Sequence, residues 1–153
     1  MIKKEIRRII NIDFEPGCET DVKIKAKIKK AVLITLQAEK IDYVCEVNIR
    51  ITDNSNIRNL NKNFRGKDTE TDVLSFVMGD INPENGAVIL GDIVISIEKA
   101  KEQSEELNQS LDMELMFLAV HAALHLIGYD HEKSEEEDLI MRQRQKEIME
   151  MIL

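Results

Sequence analysis

The sequence predicts an α+β fold in which a small mixed sheet of about four strands is packed by helices. Strand-like apolar patterns occupy the first two thirds of the 153-residue chain, whereas helical patterns lie at both ends and do not alternate strictly with the strands. Apolar residues make up 43% and charged residues 33% of the sequence, a balance typical of a globular protein with its own core. We find no linker or internal repeat, so residues 1–153 are expected to form a single domain.

The first three elements follow from local apolar patterns. Residues 2–14 carry alternating and doubled apolar side chains, which favour a strand. A helix is predicted to run from a cap at Thr20 or Asp21 to about Glu39, because its apolar residues recur every three or four positions. Residues 43–51 alternate between apolar and polar side chains and are predicted to form a strand.

The middle of the chain is predicted to form a short helix and two neighbouring strands. Capping residues at 53–55 begin a helix that runs through Asn63, and a polar loop follows over residues 65–71. The apolar runs at 73–78 and 87–96 flank an Asn-Pro-Glu-Asn-Gly turn, so we expect them to pair in the sheet.

The last third of the chain is predicted to be helical, with helices over residues 97–107, 110–127 and 133–152. Residues 115–127 are apolar apart from two histidines, which indicates a helix buried nearly all round. This apolar run is too short to span a bilayer.

All three histidines of the chain fall within residues 121–131, in the pattern H-x-x-x-H-x-x-G-x-x-H. Residues four apart lie on the same helix face, so His121 and His125 can direct two imidazoles at one point. Gly128 can adopt the conformation that ends a helix, and the chain would then turn so that His131 approaches as a third ligand. Three imidazoles with an open fourth position are typical of a catalytic zinc site. We therefore predict a metal site on a buried helix near the C-terminus.

Two alternatives to this interpretation stay open at the level of the residues. A histidine pair four residues apart can be two hydrogen-bonded core residues, and imidazole ligands suit nickel, copper or iron as well as zinc. The same pattern is also the metal-binding half of a zinc-protease motif in which a glutamate base follows the first histidine. Ala122 stands at that position here, which argues against ordinary peptide hydrolysis.

The charge distribution leaves room for a polyanionic substrate despite a net charge of −8. Basic residues concentrate around positions 3–8, 23–30 and 58–67, while acidic residues dominate from Glu102 onward. The lysines at 23–30 are best explained as a solvated helix face. The chain has no Trp and few aromatic residues, so a broad aromatic platform for nucleic acid is not expected.

Compartment is indicated by the N-terminal residues and by the cysteines. The first residues lack the apolar stretch of a signal peptide, so we expect a cytoplasmic location. Cys18 and Cys45 show no C-x-x-C spacing and are predicted to be free thiols.

A second informative stretch covers residues 60–76, where a loop bearing Arg65, Lys67, Asp68 and Asp72 leads into an apolar strand. An arginine at a strand end can present a two-pronged cation to a phosphate. Taken alone, this pattern is more typical of a solvated turn whose aspartates cap backbone groups.

With the histidines, the sequence closely resembles the bacterial YbeY family of metal-dependent endoribonucleases, which are linked to ribosomal RNA maturation and ribosome quality control. The resemblance rests on residues 61–76, 90–96 and 121–131. Two positions depart from the family pattern. Ala122 replaces the usual Gly or Ser, and Glu70 stands where a Pro is often found.

The resemblance implies a single metal-dependent hydrolase domain with one zinc held by His121, His125 and His131. It implies that Arg65 is the catalytically important arginine of the facing cleft. It also implies that the substrate is single-stranded RNA, notably ribosomal RNA, and that the small ribosomal subunit and the GTPase Era are candidate partners.

Three function classes remain at this point: a metal-dependent RNA hydrolase, a metallopeptidase with another base, and a ribosome-assembly factor whose metal is mainly structural. The proton acceptor of the hydrolase is also open, because the metal's own hydroxide, the RNA 2′-hydroxyl and Asp130 are all candidates. For Asp130 we favour a role in orienting a histidine. Asp72 and Asp92 are predicted to hold loop backbone.

Overall fold

A computed structural model of the protein describes residues 6–153. Within these residues the chain forms four strands and five helices in the order β1-α1-β2-α2-β3-β4-α3-α4-α5. The strands are β1 (Arg8–Phe14), β2 (Cys45–Thr52), β3 (Val73–Val77) and β4 (Val88–Ser96). The helices are α1 (Val22–Ala38), α2 (Asn54–Arg65), α3 (Ile97–Glu106), α4 (Leu111–Leu126) and α5 (Glu135–Ile152). The predicted α+β class is therefore confirmed; the start of the first predicted strand, before residue 6, lies outside the described residues.

The four strands form one mixed sheet in the order β1-β2-β4-β3. The strand β2 pairs in parallel with both β1 and β4, whereas β3 runs antiparallel to β4. The predicted pairing of the runs on either side of the Asn-Pro-Glu-Asn-Gly turn is thus confirmed. Because β3 pairs with β4 alone, it forms an edge of the sheet.

The main core lies between one face of the sheet and the helices α1 and α4. Alternate residues of β2 and β4, such as Ile49 and Ile93, pack against apolar side chains such as Ile28 and Leu118 from these two helices. The helix α5 packs on the outer side of α1 and α4 through Met141 and Ile148. As predicted, α4 is buried over most of its circumference.

The opposite face of the sheet is only partly covered, by α2. Ile57 of α2 packs against Leu74 and Val94, which point away from the main core. The helix extends two residues beyond its predicted end, because the next residue, Gly66, has a backbone φ of 69° and closes the last turn. Arg65, which the sequence analysis placed in a loop, is therefore the last residue of a helix.

The remaining predictions concern the surface and the thiols. The lysines between residues 23 and 30 are all exposed on α1, in agreement with a solvated helix face, and Lys27 forms an ion pair with Asp112. Cys18 and Cys45 are both buried free thiols. Among residues 6–153, no helix combines the length and apolarity that crossing a bilayer requires.

Candidate metal centre and its cleft

The helix α4 carries two of the three histidines side by side. Ser110 caps this helix by accepting a hydrogen bond from the backbone N–H of Met113. His121 and His125 follow one turn apart near its C-terminal end, with ring centroids 4.9 Å apart and an edge-to-face arrangement. The apolar helix thus presents two imidazoles on a single face, as the spacing predicted.

The turn after α4 brings the third histidine back to the first two. Gly128 has a φ of 114°, which side-chain-bearing residues rarely adopt. Its N–H donates to the carbonyl of His125, and the N–H of Tyr129 donates to that of Leu124. This pair of bonds is a Schellman motif, and the side chains of Tyr129 and Leu124 meet in the same apolar cluster. The ring of His131 consequently lies 4.8 Å from that of His125 and 5.1 Å from that of His121, measured between centroids.

The three imidazoles form a donor set that fits a metal ion. One ring nitrogen from each histidine can be chosen so that all three lie within 4.8 Å of one another. The Nε2 atom of His125 and the Nδ1 atom of His131 are 2.8 Å apart. Within residues 6–153 no carboxylate or thiol joins this group, so a fourth coordination position would remain for water or substrate. Such a set of neutral nitrogen ligands suits zinc and other transition metals.

The surroundings keep two of these histidines in the form that binds metals. Burial lowers the pKa of His121, which is opposed in part by a hydrogen bond to Gln145. Burial also lowers the pKa of His125, and the neighbouring imidazoles act in the same direction. Both side chains are therefore neutral near pH 7, with a nitrogen lone pair available for a metal.

The histidines form one wall of an open cleft of about 510 Å³. Residues 71–75, which include the start of the edge strand β3, and Arg65 at the end of α2 also line this cleft. Arg65 is 38% exposed, and its Nη2 atom lies 3.3 Å from the Oε1 atom of Glu132. The same oxygen lies 4.0 Å from the Nε2 atom of His131. All four residues predicted for the site thus share one cleft.

The aspartates singled out in the sequence have different environments. Asp72 holds the loop before β3, because its Oδ1 accepts hydrogen bonds from the Val73 N–H and the Thr71 hydroxyl. Asp130 accepts the N–H of Glu132, so it fixes the turn between the histidines instead of forming the expected hydrogen bond to an imidazole. Asp92 lies within β4, where it lines a separate groove on the other face of the sheet. The prediction that Asp92 holds loop backbone was therefore wrong.

Two polar residues near the histidines escaped the sequence analysis. Glu132 follows His131 directly, but nothing local showed that it would meet Arg65, which is 67 residues away. Gln145 is only 4% exposed and lies within hydrogen-bonding distance of His121. The sequence could have indicated a role for Gln145, because it shares the apolar face of α5 with Met141 and Ile148. A polar side chain on a buried face needs a hydrogen-bond partner.

Comparison with known proteins identifies the family of the chain. A family model described as Endoribonuclease YbeY matches residues 11–153. Proteins named Endoribonuclease YbeY from Oceanobacillus iheyensis and from a Geobacillus strain are 46% and 44% identical to the chain. These alignments cover 80% and 93% of this chain, and 83% and 96% of the respective relatives. The solution structure of TM1509 from Thermotoga maritima superposes with a TM-score of 0.64 at 28% identity, covering 94% of this chain and 89% of that one. The chain therefore belongs to the endoribonuclease YbeY family.

Proposed function

We propose that residues 1–153 form a single zinc-dependent hydrolase domain that cleaves single-stranded RNA internally. The observation that carries this proposal is the cleft itself, which is open to solvent and is lined by three clustered imidazoles and an arginine. Family membership supports the reaction class, since the family and its relatives are named as endoribonucleases.

The proposed metal ligands are His121, His125 and His131, with one zinc ion per chain. When bound there, zinc would lower the pKa of a coordinated water toward ~7 and polarise a phosphoryl oxygen. The chain contributes by holding the three rings in place through α4 and the turn at Gly128. Burial of His121 and His125 also keeps these ligands unprotonated at neutral pH.

Arg65 is the residue proposed to bind the scissile phosphate. Its guanidinium can offer two parallel N–H donors to phosphate oxygens and offset the negative charge that develops on them. In the structure the guanidinium contacts the carboxylate of Glu132, so substrate binding requires that this contact be exchanged for one with the phosphate. Because both partners are partly exposed, this exchange costs little.

The proton acceptor proposed from the chain is Asp130. It lines the cleft beside the histidines, and its Oδ1 atom is engaged by the N–H of Glu132. No hydrogen bond from residues 6–153 reaches its Oδ2 atom, which can therefore accept a proton from an attacking hydroxyl group. In the zinc peptidases a glutamate base follows the first histidine, whereas this chain has Ala122 at that position.

The biological setting that we propose is ribosomal RNA maturation and ribosome quality control in the cytoplasm. The small ribosomal subunit and the GTPase Era are the proposed partners. These assignments rest on the family resemblance and not on any contact in the structure.

The decisive experiment measures cleavage of labelled single-stranded RNA by the zinc-reconstituted protein, with the zinc content of each sample quantified. We expect His125→Ala to abolish both zinc binding and cleavage. Arg65→Ala should keep its zinc and lose about 10²–10³-fold in kcat, the usual effect of removing one charge-stabilising donor. Arg142→Ala serves as a matched control, because Arg142 is an exposed arginine of α5 that does not line the cleft.

Three outcomes would contradict the proposal. Unchanged cleavage by Arg65→Ala would remove this residue from the mechanism. No cleavage by fully zinc-loaded wild type, either on free RNA or on small ribosomal subunits, would favour the assembly-factor alternative. Cleavage of casein but not of RNA would favour the metallopeptidase.

A further inference from the structure

Gln145 is a buried residue of α5. Its side-chain amide bridges the imidazole of His121 and the backbone carbonyl of Phe117, both of which belong to α4. Its side chain is only 4% exposed to solvent. The Nε2 atom donates a hydrogen bond to the backbone carbonyl of Phe117 at 3.3 Å. The Oε1 atom lies 3.3 Å from the Nδ1 atom of His121. The amide thus joins the first candidate ligand to the backbone one turn before it.

The carbonyl of Phe117 determines the orientation of the Gln145 side-chain amide. A backbone carbonyl can only accept a hydrogen bond, so the NH₂ group of Gln145 must face Phe117. The amide oxygen then faces His121, and since that oxygen can only accept, the Nδ1 atom of His121 must carry the proton. A neutral imidazole protonated at Nδ1 has its lone pair on Nε2, which is therefore the nitrogen of His121 available to a metal.

The surrounding packing makes this orientation rigid. Gln145 lies between Met141 and Ile148 on the buried face of α5, and both of these side chains pack into the apolar cluster shared with α4. Rotation of the amide would place its oxygen against the carbonyl oxygen of Phe117, where neither atom can donate, and would leave the amide oxygen of Gln145 without a hydrogen-bond donor.

We propose that Gln145 is a positioning residue that holds His121 in the Nδ1–H tautomer and orients its Nε2 lone pair toward the shared metal position. This inference rests on the proposed function, because it takes His121 to be a ligand. Groups that accept the free N–H of a metal-binding imidazole raise the basicity of the ligand and fix its ring orientation. The residue acts through His121 and does not contact the substrate.

The first test uses the metal-free wild-type protein and needs no substitution. Long-range ¹H–¹⁵N spectra of histidine side chains distinguish the two neutral tautomers above pH 7. We expect the His121 resonances to show protonation at Nδ1 and a free Nε2. An Nε2–H tautomer for His121 in the folded protein would overturn the proposal.

The second test measures zinc affinity by competition with a chromophoric chelator. We expect Gln145→Met, which keeps the volume but removes the acceptor, to weaken zinc binding about 10–100-fold. Gln145→Glu restores an acceptor at the same place and should bring the affinity back to within a few-fold of wild type. Ile148→Val is the matched control, because it loosens the same face of α5 without touching a hydrogen bond.

The outcomes separate this inference from the proposed function. If wild type binds zinc tightly and Gln145→Met binds it equally well, the positioning role is wrong while the metal site stands. The role is also wrong if Ile148→Val loses as much affinity as Gln145→Met, or if Gln145→Glu restores none. A wild-type protein that binds no zinc contradicts the metal site itself, whatever tautomer His121 shows.

Discussion

Single residues in the cleft show how charge is balanced before any substrate binds. Arg65 contacts Glu132, so a phosphate that binds the guanidinium as proposed would have to replace this carboxylate. Glu132 is 61% exposed, so the ion pair is weak and easily exchanged. Under the proposed function, the carboxylate of Glu132 therefore competes with the substrate for the guanidinium. Its contact with Arg65 also directs that side chain into the cleft.

Removal of this competing charge should strengthen RNA binding. We expect Glu132→Gln to lower the KM for single-stranded RNA by about 2–5-fold at low salt, since exposed ion pairs contribute about 0.2–1 kcal/mol, and to leave kcat unchanged. Steady-state cleavage at two salt concentrations checks this expectation. Glu102→Gln controls for net charge, because Glu102 pairs with Lys99 on α3 and does not line the cleft. A large drop in kcat would instead assign chemistry to Glu132.

Far from the cleft, Glu46 is a buried carboxylate that organises the turn between β3 and β4. It is 6% exposed and accepts hydrogen bonds from the side-chain amides of Asn48, Asn82 and Asn85. The bond from Asn48 is the main reason that the pKa of Glu46 lies below its ordinary value, with smaller contributions from the other two asparagines, while burial acts in the opposite direction. The ionised form is therefore the one that stabilises the fold.

Because the folded state lowers this pKa, Glu46 stabilises the protein above the ordinary pKa of a glutamate. The stabilisation is lost as the pH falls through the lower value of the folded state. We expect Glu46→Gln to cost about 1.5–3 kcal/mol at pH 7, the usual range for hydrogen bonds to a charged group. Urea unfolding at pH 7 and at pH 3 measures the difference, which should shrink in acid. An equal difference at both pH values would show that the charge of Glu46 is not the cause.

At the scale of elements, a β-bulge in β4 and the glycine that follows it allow β3 and the end of α4 to pack closely at the same point. The register between β2 and β4 shifts at Glu46 and Val47, which places an extra residue before Gly91. A Cβ atom at Gly91 would lie 2.2 Å from the carbonyl oxygen of Phe76 and 2.6 Å from the Cδ2 atom of Leu126. Only a glycine allows the end of α4 to lie against the sheet at this point.

Gly91→Ala should therefore destabilise the protein by about 1–3 kcal/mol, the cost of overpacking a core position. Because Leu126 follows His125 directly, we also expect weaker zinc binding. Gly79→Ala is the matched control, since a Cβ atom there would meet nothing within 4 Å and its backbone needs no positive φ. Urea unfolding of the two variants checks the prediction, and equal stabilities would show that α4 can shift without cost.

At the scale of the whole molecule, contacts that involve no histidine connect the helices and the sheet around the candidate metal site. The helix α4 is enclosed by the sheet, α1, α3 and α5 through apolar contacts. The turn that carries His131 is anchored separately: the hydroxyl of Tyr129 donates to Glu39, and Arg144 bonds both Glu39 and the carbonyl of Ala38. These contacts connect α1, α5 and the turn without any contribution from the histidines.

Removal of zinc by a chelator should therefore lower the Tm but leave the protein folded. Bound zinc stabilises the native state by mass action, and this increment disappears with the ion. We expect the far-ultraviolet circular dichroism and cooperative unfolding to persist, and RNA cleavage to vanish and return when zinc is restored. Loss of cooperative unfolding after chelation would show a structural metal, as in the assembly-factor alternative.

The sequence by itself determined those features that depend on neighbours along the chain. The sequence patterns located the described helices and strands to within a few residues, except that the first strand was predicted from residue 2 and β1 begins at Arg8. The spacing of the three histidines and Gly128 predicted the geometry of the cluster. Both depend on backbone hydrogen bonds and turns that close within about five residues. Arg65 was identified only through the family resemblance, since its own loop looked like an ordinary solvated turn.

Only the tertiary structure decided what distant segments bring together. The strand order β1-β2-β4-β3, the contact of Arg65 with Glu132, and the hydrogen bond from His121 to Gln145 join residues far apart in the chain. No local pattern specifies such contacts, because they arise when the apolar faces of the sheet, α1, α4 and α5 are buried together. Packing of the whole core thus sets the partners of the polar residues that shape the cleft.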